Sequence, residues 1–252
     1  MNKYKKNNIV LGYFFTTFLI LQSYLSYGIN GATPISSVGG GSHCLLFYTG
    51  GSNLFQSDIY SEFIHAIEKE EIDVYDIPFN YQLLQQDIDL LKSKYNYDYQ
   101  SINVLGHSSG CTTLLNQCGE LHGVNNVFLF DPVKTKFFNH DKWSCKNYDS
   151  LSFIHASKTY KINSDPFGLP FIPIFKLTIE HLDVVGPNID EINIKEHGHS
   201  DILNKNLANF MHNTRISVGN KNRDTQTRIK YFDTILSILL KVMKETENKN
   251  QL

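Results

Sequence analysis

The sequence predicts an α/β fold, with a mostly parallel central sheet and helices on both faces. Three observations carry that expectation. Short apolar runs alternate with stretches of helical periodicity, as expected of parallel strands buried on both sides. The pentapeptide Gly106-His107-Ser108-Ser109-Gly110 sits between one such run and one such helix. Finally, Gly50-Gly51, Ser108 and Asp131 all fall at the C-terminal ends of predicted strands. Right-handed crossovers bring those ends to one edge of the sheet, where ligands bind in such folds.

The elements follow in order. Residues 29–42, rich in Gly, Ser and Thr, read as a flexible lead-in to a single domain spanning 43–252. His43 to Thr49 is a compact apolar run closed by Gly50-Gly51, a strand and a tight turn. Ser57 to Lys69 places Tyr60, Phe63, Ile64 and Ile67 on one helical face with acidic residues opposite. Ile72 to Ile77 is a strand halted by Pro78, and Leu84, Ile88, Leu91 and Tyr95 recur at helical spacing. Ser101 to Leu105 is a buried strand, and Cys111 to Leu115 opens a helix. Asn126 to Phe130, Leu151 to Ala156 and Ile189 to Lys195 are the remaining strands. Arg228 to Lys244 closes the chain as a helix with Ile229, Phe232, Ile235, Leu236 and Leu239 facing inward. No internal repeat or domain linker interrupts this pattern.

Composition narrows the function classes. The 252 residues suffice for one domain with a substantial core. Net charge is −2 and no basic run extends beyond Lys3 to Lys6, so nucleic acid is not an expected partner. Residues 1–28 are read apart from the fold: a basic start, the apolar run Ile9 to Leu21, and Ser26-Tyr27-Gly28 before a cleavage point make a signal-peptide layout. A signal anchor is the alternative, since Ile9 to Leu25 approaches the length that spans a bilayer. The polar Gln22, Ser23 and Ser26 favour cleavage, leaving no stable membrane span. Either way the chain is directed to the secretory pathway, with an extracellular or a lysosomal or vesicular lumenal destination. Four cysteines, Cys44, Cys111, Cys118 and Cys145, permit two disulfides there, or buried free thiols. Cys111 and Cys118 lie roughly 10 Å apart along one helix, too far to bond each other. Pairing of either with Cys145 or Cys44 stays open. No C-x-x-C pair suggests a zinc site, no cofactor is implied, and no N-x-S/T sequon occurs.

The chemistry centres on the G-x-S-x-G pentapeptide. Strand, sharp turn and helix form the context in which this pattern is a nucleophile elbow. The turn strains Ser108 while Gly106 and Gly110 let strand and helix approach. Its hydroxyl is a poor nucleophile unless a base, normally an oriented histidine, takes its proton. The expected chain order is Ser, acid, His, so the base should follow a late strand. His197 and His199 both do, in Glu196-His197-Gly198-His199-Ser200-Asp201. His199 is preferred, because Ser200-Asp201-Ile202-Leu203 can begin a helix behind it, with Asp201 as a cap or a support for the base. His107 lies inside the elbow and is expected to pack or hydrogen-bond locally. Two acids compete: Asp131, in Phe130-Asp131-Pro132-Val133, and Asp165, in Ser164-Asp165-Pro166. Either can instead be a turn residue, since Asp-Pro starts turns. The oxyanion hole is expected to combine the Ser109 N–H with one from the loop after the first strand, where Gly51 is favoured.

These residues together resemble the α/β-hydrolase superfamily, and within it the chlorophyllase-like esterases. The likeness rests on Leu45 to Gly51 with Tyr60 behind, Gly106 to Gly110, Asp131-Pro132-Val133, and Gly198-His199-Ser200-Asp201-Ile202-Leu203. It implies an α/β-hydrolase fold with Ser108 as nucleophile, Asp131 as acid and His199 as base. Ser109 stands where chlorophyllases usually carry Arg, and the loop after the first strand lacks their usual His, so chlorophyll does not follow as substrate. The expected activity is hydrolysis of a small, hydrophobic carboxylic ester, a lipid or chlorophyll-type pigment ester, through an acyl-enzyme. The apolar run Phe167 to Phe175 is expected to wall the acyl pocket or to pack as core or edge strand. The alternatives are a non-catalytic lipid- or pigment-binding protein on the same fold, and an acyltransferase.

Overall fold

The computed structural model describes residues 33–34, 42–50, 57–77, 88–89, 99–117, 119–120, 122–135, 142–145, 148–158, 174–184, 188–213 and 217–250. Its strands are β1 (Thr33–Pro34), β2 (His43–Tyr48), β3 (Ile72–Asp76), β4 (Ser101–His107), β5 (Asn126–Phe130), β6 (Val133–Thr135), β7 (Trp143–Ser144), β8 (Ser150–Ala156), β9 (Ile174–Lys176), β10 (Leu182–Val184) and β11 (Ile189–Ile194). The helices are α1 (Ser61–Glu68), α2 (Gly110–Gln117), α3 (Lys205–Asn213) and α4 (Thr225–Asn250). A 3-10 turn over Ser57–Tyr60 leads into α1. Of the helix expected around Leu84 to Tyr95, only Ile88 and Asp89 are described, and both are helical.

One sheet runs β1-β3-β2-β4-β5-β8-β11. Its six longer strands are all parallel, as the alternating pattern predicts. Thr33-Pro34, within the segment read as a lead-in, adds a short antiparallel edge to β3. Proline is tolerated there because an edge strand need not donate on both sides. Strand side chains alternate between two cores. Cys44, Leu46, Val104, Val127, Leu129 and Phe153 pack with Cys111, Leu114 and Leu115 of α2. Leu45, Phe47, Leu105, Phe128, Phe130 and Ile154 pack with Phe63, Ile64 and Ile67 of α1 and Phe232, Ile235, Leu236 and Leu239 of α4. Helices thus cover both faces. Among the described residues no helix is long and apolar enough to cross a membrane.

The cysteines divide. Cys44 and Cys111 are free and buried. Burial pushes both thiols far above their usual range, with help from Asp73 at Cys44 and Asp131 at Cys111. Cys145 is disulfide-bonded. Cys118 lies outside the described residues.

A polar cluster fastens the opposite, N-terminal edge of the sheet. Asn126, with no exposed surface, donates to Asn103 Oδ1 at 2.7 Å. Its own Oδ1 accepts from Ser150 Oγ at 2.6 Å and Thr246 Oγ1 at 2.7 Å. One side chain therefore links β4, β5, β8 and the last turns of α4. Its removal strands several buried donors and acceptors, each worth about 1–3 kcal/mol when left unpaired. Asn126→Ala is expected to lower the unfolding free energy by about 2–4 kcal/mol in chemical denaturation. An unchanged denaturation midpoint would show that the cluster contributes nothing.

Candidate active site

Ser108 follows directly on β4 and precedes α2, with φ at 57°, a left-handed conformation rare for a residue with a side chain. The two glycines of the pentapeptide have separate steric reasons. A Cβ on Gly106 would lie 2.8 Å from Cys111 Cα and 2.9 Å from its nitrogen, so the strand could not pass beneath α2. A Cβ on Gly110 would overlap the backbone carbonyls of Tyr48 and Thr49, so the loop after β2 could not close on the elbow. The turn is held from the neighbouring strand. Ser108 N–H donates to the Phe130 carbonyl at 3.1 Å, and Val133 N–H donates to the Ser108 carbonyl at 3.3 Å. Thr112 Oγ1 donates to the Val133 carbonyl at 2.8 Å, which fastens α2 to the same loop.

Asp131 follows β5 directly, with φ at 49° and no exposed surface. Its Oδ1 accepts from Ala156 N–H at 3.2 Å. Its Oδ2 lies 2.7 Å from His199 Nδ1, and His199 Nε2 lies 2.8 Å from Ser108 Oγ. A carboxylate can only accept, so Nδ1 carries the hydrogen and Nε2 offers its lone pair to the serine hydroxyl. The structure brings together Ser108, Asp131 and His199. Asp165 and Gly51 lie outside the described residues, and Ser109 is buried at the entrance to α2. The Gly50 N–H is taken by Tyr60 Oη at 2.8 Å, so that amide is already engaged.

The loop carrying His199 follows edge strand β11 and is fixed from behind. Asp201 Oδ2 accepts from Gly198 N–H and Asn220 N–H, each at 2.9 Å. His212 Nε2 lies 3.0 Å from Oδ1 and His197 Nδ1 lies 3.4 Å from Oδ2. Neither meets hydrogen-bond angles, so both act on the carboxylate as close, poorly aligned dipoles. Burial acts to raise the Asp201 carboxyl, but the two imidazoles and the two backbone N–H groups outweigh it and hold it below the usual carboxylate range. The helix expected from Ser200 starts later, at Lys205, and Asn204 caps it by accepting from Leu207 N–H at 3.1 Å. Asp201 therefore supports the loop that carries His199 and does not cap α3. Arg228 of α4 donates to the Asp201 and Leu203 carbonyls and pairs with Glu62 at 2.8 Å.

Sequence reasoning missed Arg228, His197, His212 and the Tyr60 hydroxyl as parts of this support. The one available signal was Arg228, a cation within the inward stripe of α4. A cavity of about 360 Å³ between α1 and α4, lined by Ala66, Arg228, Phe232 and Leu236 among others, includes none of Ser108, Asp131 or His199.

A parallel sheet in this strand order, a serine at positive φ between strand and helix, and an acid and a histidine after later strands define the α/β-hydrolase fold. No family model matches the chain, and no curated protein matches it. Among solved structures, siderophore hydrolase EstB from Aspergillus fumigatus is similar at 17% identity over 38% of this chain and 37% of that one, with a TM-score of 0.32. The chain thus spans little more than a third of EstB. The Pyrococcus furiosus esterase Pf2001 is similar at 12% identity over 75% and 90% of the two chains, TM-score 0.43. Est1E from Butyrivibrio proteoclasticus is similar at 10% identity over 74% and 96%, TM-score 0.38.

A carboxylate held below its usual range stabilises the fold above its unfolded pKa, about 3.9 for Asp, and that contribution is lost as pH falls through the lower folded value. The stability difference between wild type and Asp201→Asn is therefore expected to be largest near neutrality and to shrink below about pH 4. Denaturation curves across that range measure it; a pH-independent difference would contradict the electrostatic role.

Proposed function

We propose that this chain is a serine hydrolase of carboxylic esters. The observation that carries the reading is the continuous contact from Asp131 Oδ2 through His199 to Ser108 Oγ, at 2.7 and 2.8 Å, on a serine held at positive φ. In this reading His199 takes the Ser108 proton as Oγ attacks the ester carbonyl. Asp131 holds the imidazole in the required tautomer and stabilises the imidazolium. His199 then returns the proton to the leaving alcohol, and water, activated by the same histidine, cleaves the acyl-enzyme. The developing oxyanion is assigned to the Ser109 N–H and to the loop after β2, where the sequence favours Gly51.

A hydrophobic ester is the proposed substrate class. The end of the apolar run Phe167 to Phe175 supports it: Ile174 and Phe175 fall in β9, which pairs antiparallel with β6 directly after Asp131-Pro132. Leu177 N–H also donates to the Pro132 carbonyl at 2.9 Å. The end of that run, at Ile174 and Phe175, is therefore tethered to the loop after Asp131. A lipid or pigment ester of the chlorophyllase-like kind belongs to this class. Entry into the secretory pathway is proposed from the basic and apolar start of the chain, and the disulfide at Cys145 agrees with an oxidising compartment.

Ser108→Ala is expected to lower turnover of p-nitrophenyl butyrate by roughly 10⁴-fold or more and to abolish labelling by a fluorophosphonate. Asp131→Asn is expected to cost roughly 10³–10⁴-fold, and Asp165→Asn far less. Retained labelling in Ser108→Ala would sink the proposal, a larger loss at Asp165 would reassign the acid, and an unlabelled wild type would favour a non-catalytic binding protein.

A further inference from the structure

A hydrogen-bonded chain passes beneath Ser108 and links the two loops that flank it. Gly50 N–H donates to Tyr60 Oη at 2.8 Å, Tyr60 Oη lies 2.8 Å from His107 Nδ1, and His107 Nε2 lies 3.2 Å from the backbone carbonyl of His199. Gly50 belongs to the turn after β2, Tyr60 precedes α1, and His107 is the last residue of β4. Tyr60 is 0% exposed and His107 2%. Bulk water therefore does not reach either side chain.

Burial keeps the His107 ring neutral, and for a neutral ring only one placement of hydrogens satisfies every contact. A backbone N–H can only donate, so the Tyr60 oxygen accepts from Gly50 and passes its single hydrogen onward. A backbone carbonyl can only accept, so His107 Nε2 must carry a hydrogen. Nδ1 is then the lone pair that receives the Tyr60 hydroxyl, and His107 is the neutral Nε2–H tautomer. Burial first, and then the neighbouring His199, push its basicity well down, against the opposing hydrogen bond to the His199 carbonyl. The His107 ring also packs on its neighbours, with centroids 4.9 Å from His199, 5.5 Å from Tyr60 and 5.6 Å from Phe130.

We propose that Tyr60 and His107 are positioning residues that lock the His199 loop to the turn after β2, holding the base in register with Ser108. The proposal rests on the serine-hydrolase reading above. The need for such a lock follows from the sheet. His199 emerges from β11, an edge strand paired on one side only, whereas Ser108 emerges from β4, paired on both. The Asp201 contacts hold the loop from outside, and His107 ties its carbonyl to the central strand. A neutral His107 also places no second cation beside the imidazolium that forms on His199 during turnover.

The test uses the full chain, with p-nitrophenyl butyrate turnover and fluorophosphonate labelling read together. His107→Leu removes both hydrogen bonds and is expected to lower kcat roughly 10- to 100-fold with KM within about twofold. His107→Gln, whose amide hydrogens can reach the His199 carbonyl, is expected to recover most of that loss. Tyr60→Phe, which keeps the edge-on ring contact with Phe47 at 5.0 Å, is expected to lower kcat by roughly 3- to 10-fold. Nitrogen-15 NMR of wild-type histidines reads the tautomer without any variant having to fold: His107 protonated at Nε2 alone is expected. An Nδ1–H or doubly protonated His107 overturns the proposal. So do folded variants with wild-type kcat, and so does a Gln variant no better than Leu. If wild-type Ser108 resists the fluorophosphonate, the hydrolase reading itself fails; a labelled wild type with indifferent variants overturns the lock alone.

Discussion

Everything at the C-terminal edge of the sheet depends on holding Ser108 at positive φ. A non-glycine residue in that region carries strain of about 1–3 kcal/mol and persists only where its surroundings over-determine it. Here they do. The Ser108 amide is bonded to the Phe130 carbonyl at the end of β5, which is paired to β4, and its carbonyl is bonded to the Val133 amide at the start of β6. The same contacts place Asp131, which lies between Phe130 and Val133. Ser108 and Asp131 are therefore held as one unit at the ends of two adjacent central strands.

The histidine joins this unit from elsewhere. His199 lies at the far edge of the sheet, and β8 intervenes between β5 and β11. Its loop is held by two independent systems of opposite character. Asp201 gathers backbone amides and imidazoles around a buried negative charge, while Tyr60 and His107 form a neutral chain in which each group both gives and receives. Arg228 connects the first system to α1 through Glu62 and to α4 through its own backbone. Neutral bonds beside the imidazole and charged ones behind it leave Asp131 as the carboxylate in contact with His199.

Much of this was legible in the sequence, for a physical reason. Strand burial leaves a local apolar signature, so the runs His43 to Thr49 and Asn126 to Phe130 match the structure within a residue. The elbow was legible because its glycines answer to steric demands within a few residues or at one crossing strand. The supporting bonds were not. His107 meets a carbonyl 92 positions away, Arg228 meets Glu62 166 positions away, and Thr246 meets Asn126 120 positions away. Such pairs join residue types common on surfaces, and nothing local distinguishes a buried tyrosine that packs from one that also relays a hydrogen. The helix after His199 was misplaced for a related reason: Asp201 has the composition of a cap, but its carboxylate is engaged by Gly198, Asn220 and two histidines, which leaves capping to Asn204.

The order of strands along the chain also governs when the site comes into existence. β4 and β5 precede β8, β11 and α4 in the chain and are adjacent in space, so Ser108 and Asp131 can come together before the later elements are made. The histidine follows the last strand, and the residues that brace its loop extend into α4. A chain emerging from the ribosome therefore carries Ser108 without its histidine partner until nearly its whole length has arrived. On the proposed hydrolase reading, reactivity at Ser108 would mark a finished molecule, and partly folded intermediates would be spared the chemistry of the mature one.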